Sequence, residues 1–107
     1  MKELEISVSE LQRKQQAAEA FLLVDVREPW EYDLCRIEGA KLVPMGTIPA
    51  NLQLLDSGED IICYCHHGQR SLDAAAWLRA QGIENAQSLA GGIDRWSSEI
   101  DPAVPRY

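Results

Sequence analysis

Cys65-His66-His67-Gly68-Gln69-Arg70-Ser71 gathers a thiol, two imidazoles and a guanidinium directly after the apolar run Ile61-Ile62-Cys63-Tyr64. A thiolate is the nucleophilic form of cysteine, and beside cations or helix N-terminal amides a thiol ionises at ~3.5 to 7.5 rather than the ~8.5 of the free residue. Gly68 permits backbone angles that turn successive amides into one concavity, an anion nest. A helix predicted to begin near Ser71 adds the partial positive charge of its N-terminus. Cys65 is therefore expected to be a thiolate near neutral pH. Arg70, always protonated, is expected to hold either that thiolate or an incoming oxyanion. The same amides suit a persulfide on Cys65, whose outer sulfur is negative, so the loop fits anionic sulfur chemistry.

Most cysteines on apolar strands are inert structural thiols, and Cys63 reads as one. The polar run that follows Cys65 sets it apart. Cys63-x-Cys65-His66-His67 also offers zinc ligands, but zinc motifs place two to four residues between paired cysteines, and no second ligand pair occurs elsewhere. Neither a metal nor a cofactor is expected, and the two histidines read as solvated or substrate-facing. Gly91-Gly92 lacks the Lys-Ser/Thr pair of a phosphate loop and reads as a tight turn. Cys35, Cys63 and Cys65 are an odd number, which disfavours a disulfide framework.

The elements that must position this loop follow from the apolar pattern. Ser7-Val8-Ser9-Glu10 fits a capping box, predicting a helix over 8–18. Leu22 to Val26 is an unalternated apolar run, as in a strand covered on both faces. Pro29 opens a short helix through Tyr32, Leu42-Val43 is a brief strand, and 48–55 reads as another short helix. The strand 61–65 leads through the polar turn to a helix over 71–81, closed by Gly82. A last strand covers 86–89 and a last helix 93–99. Trp77 and Trp96 are expected to bury their rings against the sheet, and Trp30 to lie near the mouth of the site. The alternation predicts an α/β fold, a small parallel sheet of four or five strands with helices on both faces. In such sheets ligands bind beyond the carboxyl ends of the strands, where Cys65 lies.

At 107 residues, 46% hydrophobic and 25% charged, the chain is expected to be one domain spanning 1–107 that folds without staples. Ten basic against seventeen acidic residues give −7, which disfavours nucleic acid and anionic membranes as partners. No apolar run approaches the ~20 residues of a membrane span. The opening Met1-Lys2-Glu3-Leu4-Glu5 lacks the apolar stretch of a secretory signal, so a cytoplasmic location is expected.

Leu22 to Tyr32 (LLVDVREPWEY), Ile37-Glu38-Gly39-Ala40, Cys65 to Ser71 and Gly91-Gly92-Ile93-Asp94-Arg95-Trp96 resemble, in order and spacing across nearly the whole chain, the single-domain sulfurtransferases of the rhodanese family. The resemblance implies that Cys65 takes a sulfane sulfur from a small donor such as thiosulfate, holds it as a persulfide and passes it to a thiophilic acceptor such as cyanide or a protein thiol. It implies that His66, His67, Gly68, Gln69, Arg70 and Ser71 line the pocket. Asp25 and Arg27 match the family's Asp-x-Arg element, read here as architectural, with Glu31 or Glu38 as the expected partner of Arg27. The family commonly has His before its Ile-x-Gly-Ala element, where this chain has Cys35-Arg36; Cys35 is expected to be a partly buried spectator or else a second, resolving thiol.

Three other readings bear on the same residues. Dual-specificity phosphatases share the scaffold but place five residues between cysteine and arginine; here four intervene and no acid stands ready for a leaving group, which makes phosphatase the weakest reading. A non-catalytic binding module of the same fold would not need an intact Cys65 and Arg70. The stretch 101–107 (DPAVPRY), with Gly92-Ile93-Asp94, is similar to rhodanese modules that sulfurate ubiquitin-like carriers. That likeness implies delivery of sulfur to a carrier C-terminus activated by a separate enzyme.

Overall fold

A computed structural model describes residues 2–107. In chain order the elements are β1 (Glu5–Ile6), α1 (Val8–Gln16), β2 (Phe21–Asp25), α2 (Pro29–Leu34), β3 (Lys41–Leu42), α3 (Leu52–Leu55), β4 (Asp60–Tyr64), α4 (Gln69–Ala80), β5 (Ala86–Leu89) and α5 (Gly92–Glu99). The five strands form one sheet in the order β1-β5-β4-β2-β3, and every pairing is parallel. This is the α/β architecture expected from the alternation of elements.

The central strand β4 pairs with β2 from Phe21↔Asp60 to Asp25↔Tyr64 and with β5 from Ile61↔Ala86 to Cys63↔Ser88. Successive side chains of a strand point to opposite faces. Ile61, Cys63 and Cys65 accordingly pack with Ala74, Ala75 and Leu78 of α4. Ile62 and Tyr64 pack with Val8 and Leu11 of α1 and with Ile93 and Trp96 of α5. Helices on both faces explain why β4 reads as a continuous apolar run.

Several boundaries differ from the sequence-based expectation, each for a local reason. β1, which the pattern did not place, is only two residues long; it joins the sheet through Ser88 N–H on Leu4 O at 2.8 Å and Ala90 N–H on Ile6 O at 2.9 Å. The α1 helix stops at Gln16 because Ala18 turns left-handed, at φ 54°. Its Ser7 cap forms, with Glu10 N–H donating to Ser7 Oγ at 3.1 Å, but Glu10 pairs with Arg13 instead of reaching back. Residues 48–55 resolve into a 3-10 turn at Pro49–Asn51 and the single turn of α3. Trp96 is buried as expected, whereas Trp77 is 37% exposed, so its ring only edges a surface groove with Met45, Ile48 and Pro49.

Candidate active site

Cys65 follows the last residue of β4 and is almost closed to solvent, 1% exposed. Gly68, at φ 109°, caps α4 in a left-handed conformation that L side chains rarely adopt. The helix therefore begins at Gln69, two residues earlier than Ser71, and Gln69, Arg70 and Ser71 form its first turn rather than a loop. First-turn amides have no intrahelical acceptor. Cys65 Sγ takes the Ser71 N–H at 3.3 Å and the Gly68 N–H at 3.1 Å. Ser71 Oγ lies 3.4 Å from the sulfur and 2.8 Å from Ser88 Oγ on β5, which fixes its position. The sulfur thus faces backbone donors at the positive end of α4.

The outer side of the turn is held by α5. Ile93 N–H donates to Cys65 O at 2.9 Å and Asp94 N–H to His66 O at 3.1 Å. With their carbonyls engaged by the start of α5, the peptide units at Cys65 and His66 are held in place. Gly92, at φ 61°, permits the approach, since a Cβ there would sit 2.5 Å from both Cys65 O and His66 O. Gly91-Gly92 is therefore more than the tight turn expected from sequence: it is the contact between the thiol's turn and a second helix.

Two ion pairs flank the cup. Glu31 clamps Arg70, which donates from Nη1 to Oε1 at 2.8 Å and from Nη2 to Oε2 at 2.9 Å. The Arg70 hydrogen bonds hold the Glu31 carboxyl down at about 2; burial opposes them, and Tyr107 and the Glu28 backbone assist. Arg70 is raised in turn, chiefly by Glu31, with a smaller contribution from the charge of Cys65. The second pair corrects an expectation. Arg27 pairs with neither Glu31 nor Glu38; fully buried, it donates to Asp25 from Nε at 2.9 Å and Nη2 at 2.7 Å, to Cys35 O at 2.6 Å and to Tyr107 Oη at 2.8 Å. Burial lowers its affinity for the proton, and the Asp25 and Tyr107 bonds more than reverse this. Tyr64 Oη–H also donates to Asp25, at 2.9 Å.

The remaining predicted residues divide. The His66 ring stacks on His67 at 3.8 Å and on Tyr107 at 3.8 Å and 4°. Desolvation, then the neighbouring His67, lowers the pKa of His66, and its buried Nε2 has no protein partner. His67 is exposed and Gln69 turns out to Asp73, at 3.3 Å, so the Gln69 side chain does not line the cup as expected. Burial pushes the Cys63 thiol up to about 12, aided by the charge of Cys65. Cys35 packs among the residues of α1 and α5, whereas Cys65 packs with α4, which argues against a resolving role. His66, His67 and Asp94 bring ligand atoms within 4.8 Å of one another, but Arg106 already occupies both Asp94 oxygens, at 3.0 and 3.1 Å. Trp30 edges Tyr107 at 6.0 Å beside the site. Glu31 as the partner of Arg70, Ser88 behind Ser71, and Tyr107 were not assigned from sequence; only the likeness of the 101–107 stretch pointed towards the last.

A parallel five-stranded sheet with helices on both faces is a rhodanese-like α/β fold. The family model named Rhodanese-like domain matches residues 7–99, and the chain belongs to that family. It is similar to a sulfurtransferase of Allochromatium vinosum, 35% identical over 100 residues and covering 94% of each chain. It also resembles the thiosulfate sulfurtransferase GlpE of Pseudomonas fluorescens, 34% identical over 77 residues, or 72% of this chain and 71% of that one. The solved structure of a rhodanese-like domain protein from Staphylococcus aureus is 34% identical with a TM-score of 0.83, covering 100% of this chain and 99% of that one. Other relatives are longer. The chain matches the probable adenylyltransferase/sulfurtransferase MoeZ of Mycobacterium tuberculosis at 36% identity over 87 residues, 79% of this chain and 22% of that one. It spans 37% of an Arabidopsis thaliana rhodanese-like/PpiC domain-containing protein.

Proposed function

We propose that the domain spanning 1–107 moves a sulfane sulfur through Cys65 by double displacement. The Cys65 thiolate attacks the outer sulfur of thiosulfate; the sulfur–sulfur bond of the donor breaks, sulfite leaves with its electron pair, and Cys65 carries a persulfide. A thiophilic acceptor, cyanide or a protein thiol, then attacks the outer sulfur and returns Cys65 to thiolate. The observation that carries this reading is Sγ facing the Gly68 and Ser71 amides. The first-turn amides of Gln69 and Arg70, which have no intrahelical acceptor, would serve the added sulfur, and the Arg70 guanidinium would stabilise the departing anion.

Initial rates with thiosulfate and cyanide varied together test the scheme: parallel double-reciprocal lines are expected, and intersecting lines would contradict a persulfide intermediate. Cys65→Ser is expected to abolish turnover with the fold intact. The MoeZ likeness supports a second acceptor, a ubiquitin-like carrier whose C-terminus a separate enzyme has adenylated. With such a carrier supplied, gain of sulfur at its C-terminus, dependent on Cys65, supports that acceptor; sulfur transfer to cyanide alone rejects it. Sulfur-free Cys65 under all donors would leave a binding module of the same fold.

A further inference from the structure

The segment after α5 returns across the candidate site and is tied down along its length. Asp101 N–H donates to Trp96 O at 2.9 Å, Ser97 Oγ–H to Val104 O, and Arg106 to both oxygens of Asp94. These ties lay the Tyr107 ring flat on His66. The Tyr107 hydroxyl accepts from Arg27 Nη1 at 2.8 Å and donates to Glu31 Oε2 at 2.5 Å, so it joins the buried Asp25–Arg27 pair to the Glu31–Arg70 pair.

We propose that Tyr107 is a positioning residue that sets the preference of the site for anionic sulfur donors, by fixing Glu31 so that its carboxylate holds Arg70, the residue next to the Ser71 amide that meets Cys65 Sγ. The Glu31 side chain is 5% exposed and takes donors from Arg70, the Glu28 amide and Tyr107. Removing the phenol hydroxyl leaves one carboxylate oxygen short of a donor and lets the carboxylate turn. Glu31 engages two of the five guanidinium hydrogens of Arg70, and three remain for an arriving anion. The Arg70 side chain is 39% exposed. Once unclamped it spreads over solvent rotamers, and an anionic reagent loses its guide while a neutral one loses nothing.

This role rests on Cys65 being the nucleophile, and the test separates the two claims. Tyr107→Phe keeps the ring on His66 and removes only the hydroxyl. Rates of Cys65 alkylation by anionic iodoacetate and neutral iodoacetamide are read by intact mass, with Cys65→Ser as blank. The iodoacetate/iodoacetamide rate ratio is expected to fall about three- to ten-fold in Tyr107→Phe, the size of a weakened charge-assisted hydrogen bond, with the iodoacetamide rate held. Arg70→Ala is expected to lower the ratio too, and adding Tyr107→Phe to it to change nothing more. An unchanged ratio, equal changes in both rates, or a further fall in the Arg70→Ala background overturns the role. Alkylation of neither kind at Cys65 overturns the nucleophile and this role together. A lowered ratio in a protein that takes no sulfur from thiosulfate keeps the positioning role and rejects the proposed reaction.

Discussion

Cys63 in β4 and Cys65 just beyond its end lie two residues apart and pack towards the same helix, α4, yet their surroundings differ. Cys63 is sealed between the sheet and α4 with its thiol pushed up to about 12, whereas Cys65 meets the amides that open α4. Arg27 is a buried charge whose partner is also buried, so truncation strands Asp25. Arg27→Ala is expected to cost about 3–5 kcal/mol in urea unfolding, and a loss under about 1 kcal/mol, the worth of an exposed pair, would contradict that placement. Cys65, Gly68, Arg70 and Ser71 were legible from the sequence because their relation is local, one turn wide. Glu31 was visible as a charge but not as the clamp on Arg70, which lies 39 residues away, and Tyr107 lies 76 residues from Glu31. Spacing carries no signal across such gaps; only the packed fold brings these groups together.

Among the elements, α4 and α5 share the work of shaping the turn, one offering amides to the sulfur and the other holding carbonyls from behind. Gly92→Ala forces a Cβ into Cys65 O and His66 O at a left-handed φ. The variant is expected to lose about 1–3 kcal/mol of stability and, with the turn displaced, to take up sulfur more slowly. Chemical denaturation and timed sulfur loading check this, and wild-type values for both would show that the approach is not needed. The strands β2 and β4 were readable from their apolar runs, α1 from its Ser7 cap, and α4, β5 and α5 from the glycines at 82 and 91–92 that bound them. The two-residue β1 and the proline-broken stretch before α3 were not, since neither is long enough to repeat a pattern.

At the scale of the molecule, acidic side chains outnumber basic ones seventeen to ten, and no helix among the described residues is long and apolar enough to cross a membrane. Acid acts on the clamp. Glu31 is held at about 2 against an ordinary 4.5, so its stabilisation is complete above 4.5 and is lost as pH falls from there through about 2. The difference in melting temperature between the wild type and Glu31→Gln is expected to shrink over that window; a difference constant from pH 7 to the acid end would contradict the assignment. Under the proposed reaction the whole fold serves to hold one sulfur atom in one place. Intact mass after incubation with thiosulfate and removal of excess donor tests this most directly. The account predicts one added sulfur in the wild type and in Cys63→Ser and none in Cys65→Ser, whereas no uptake in the wild type, or uptake that survives in Cys65→Ser, would contradict it.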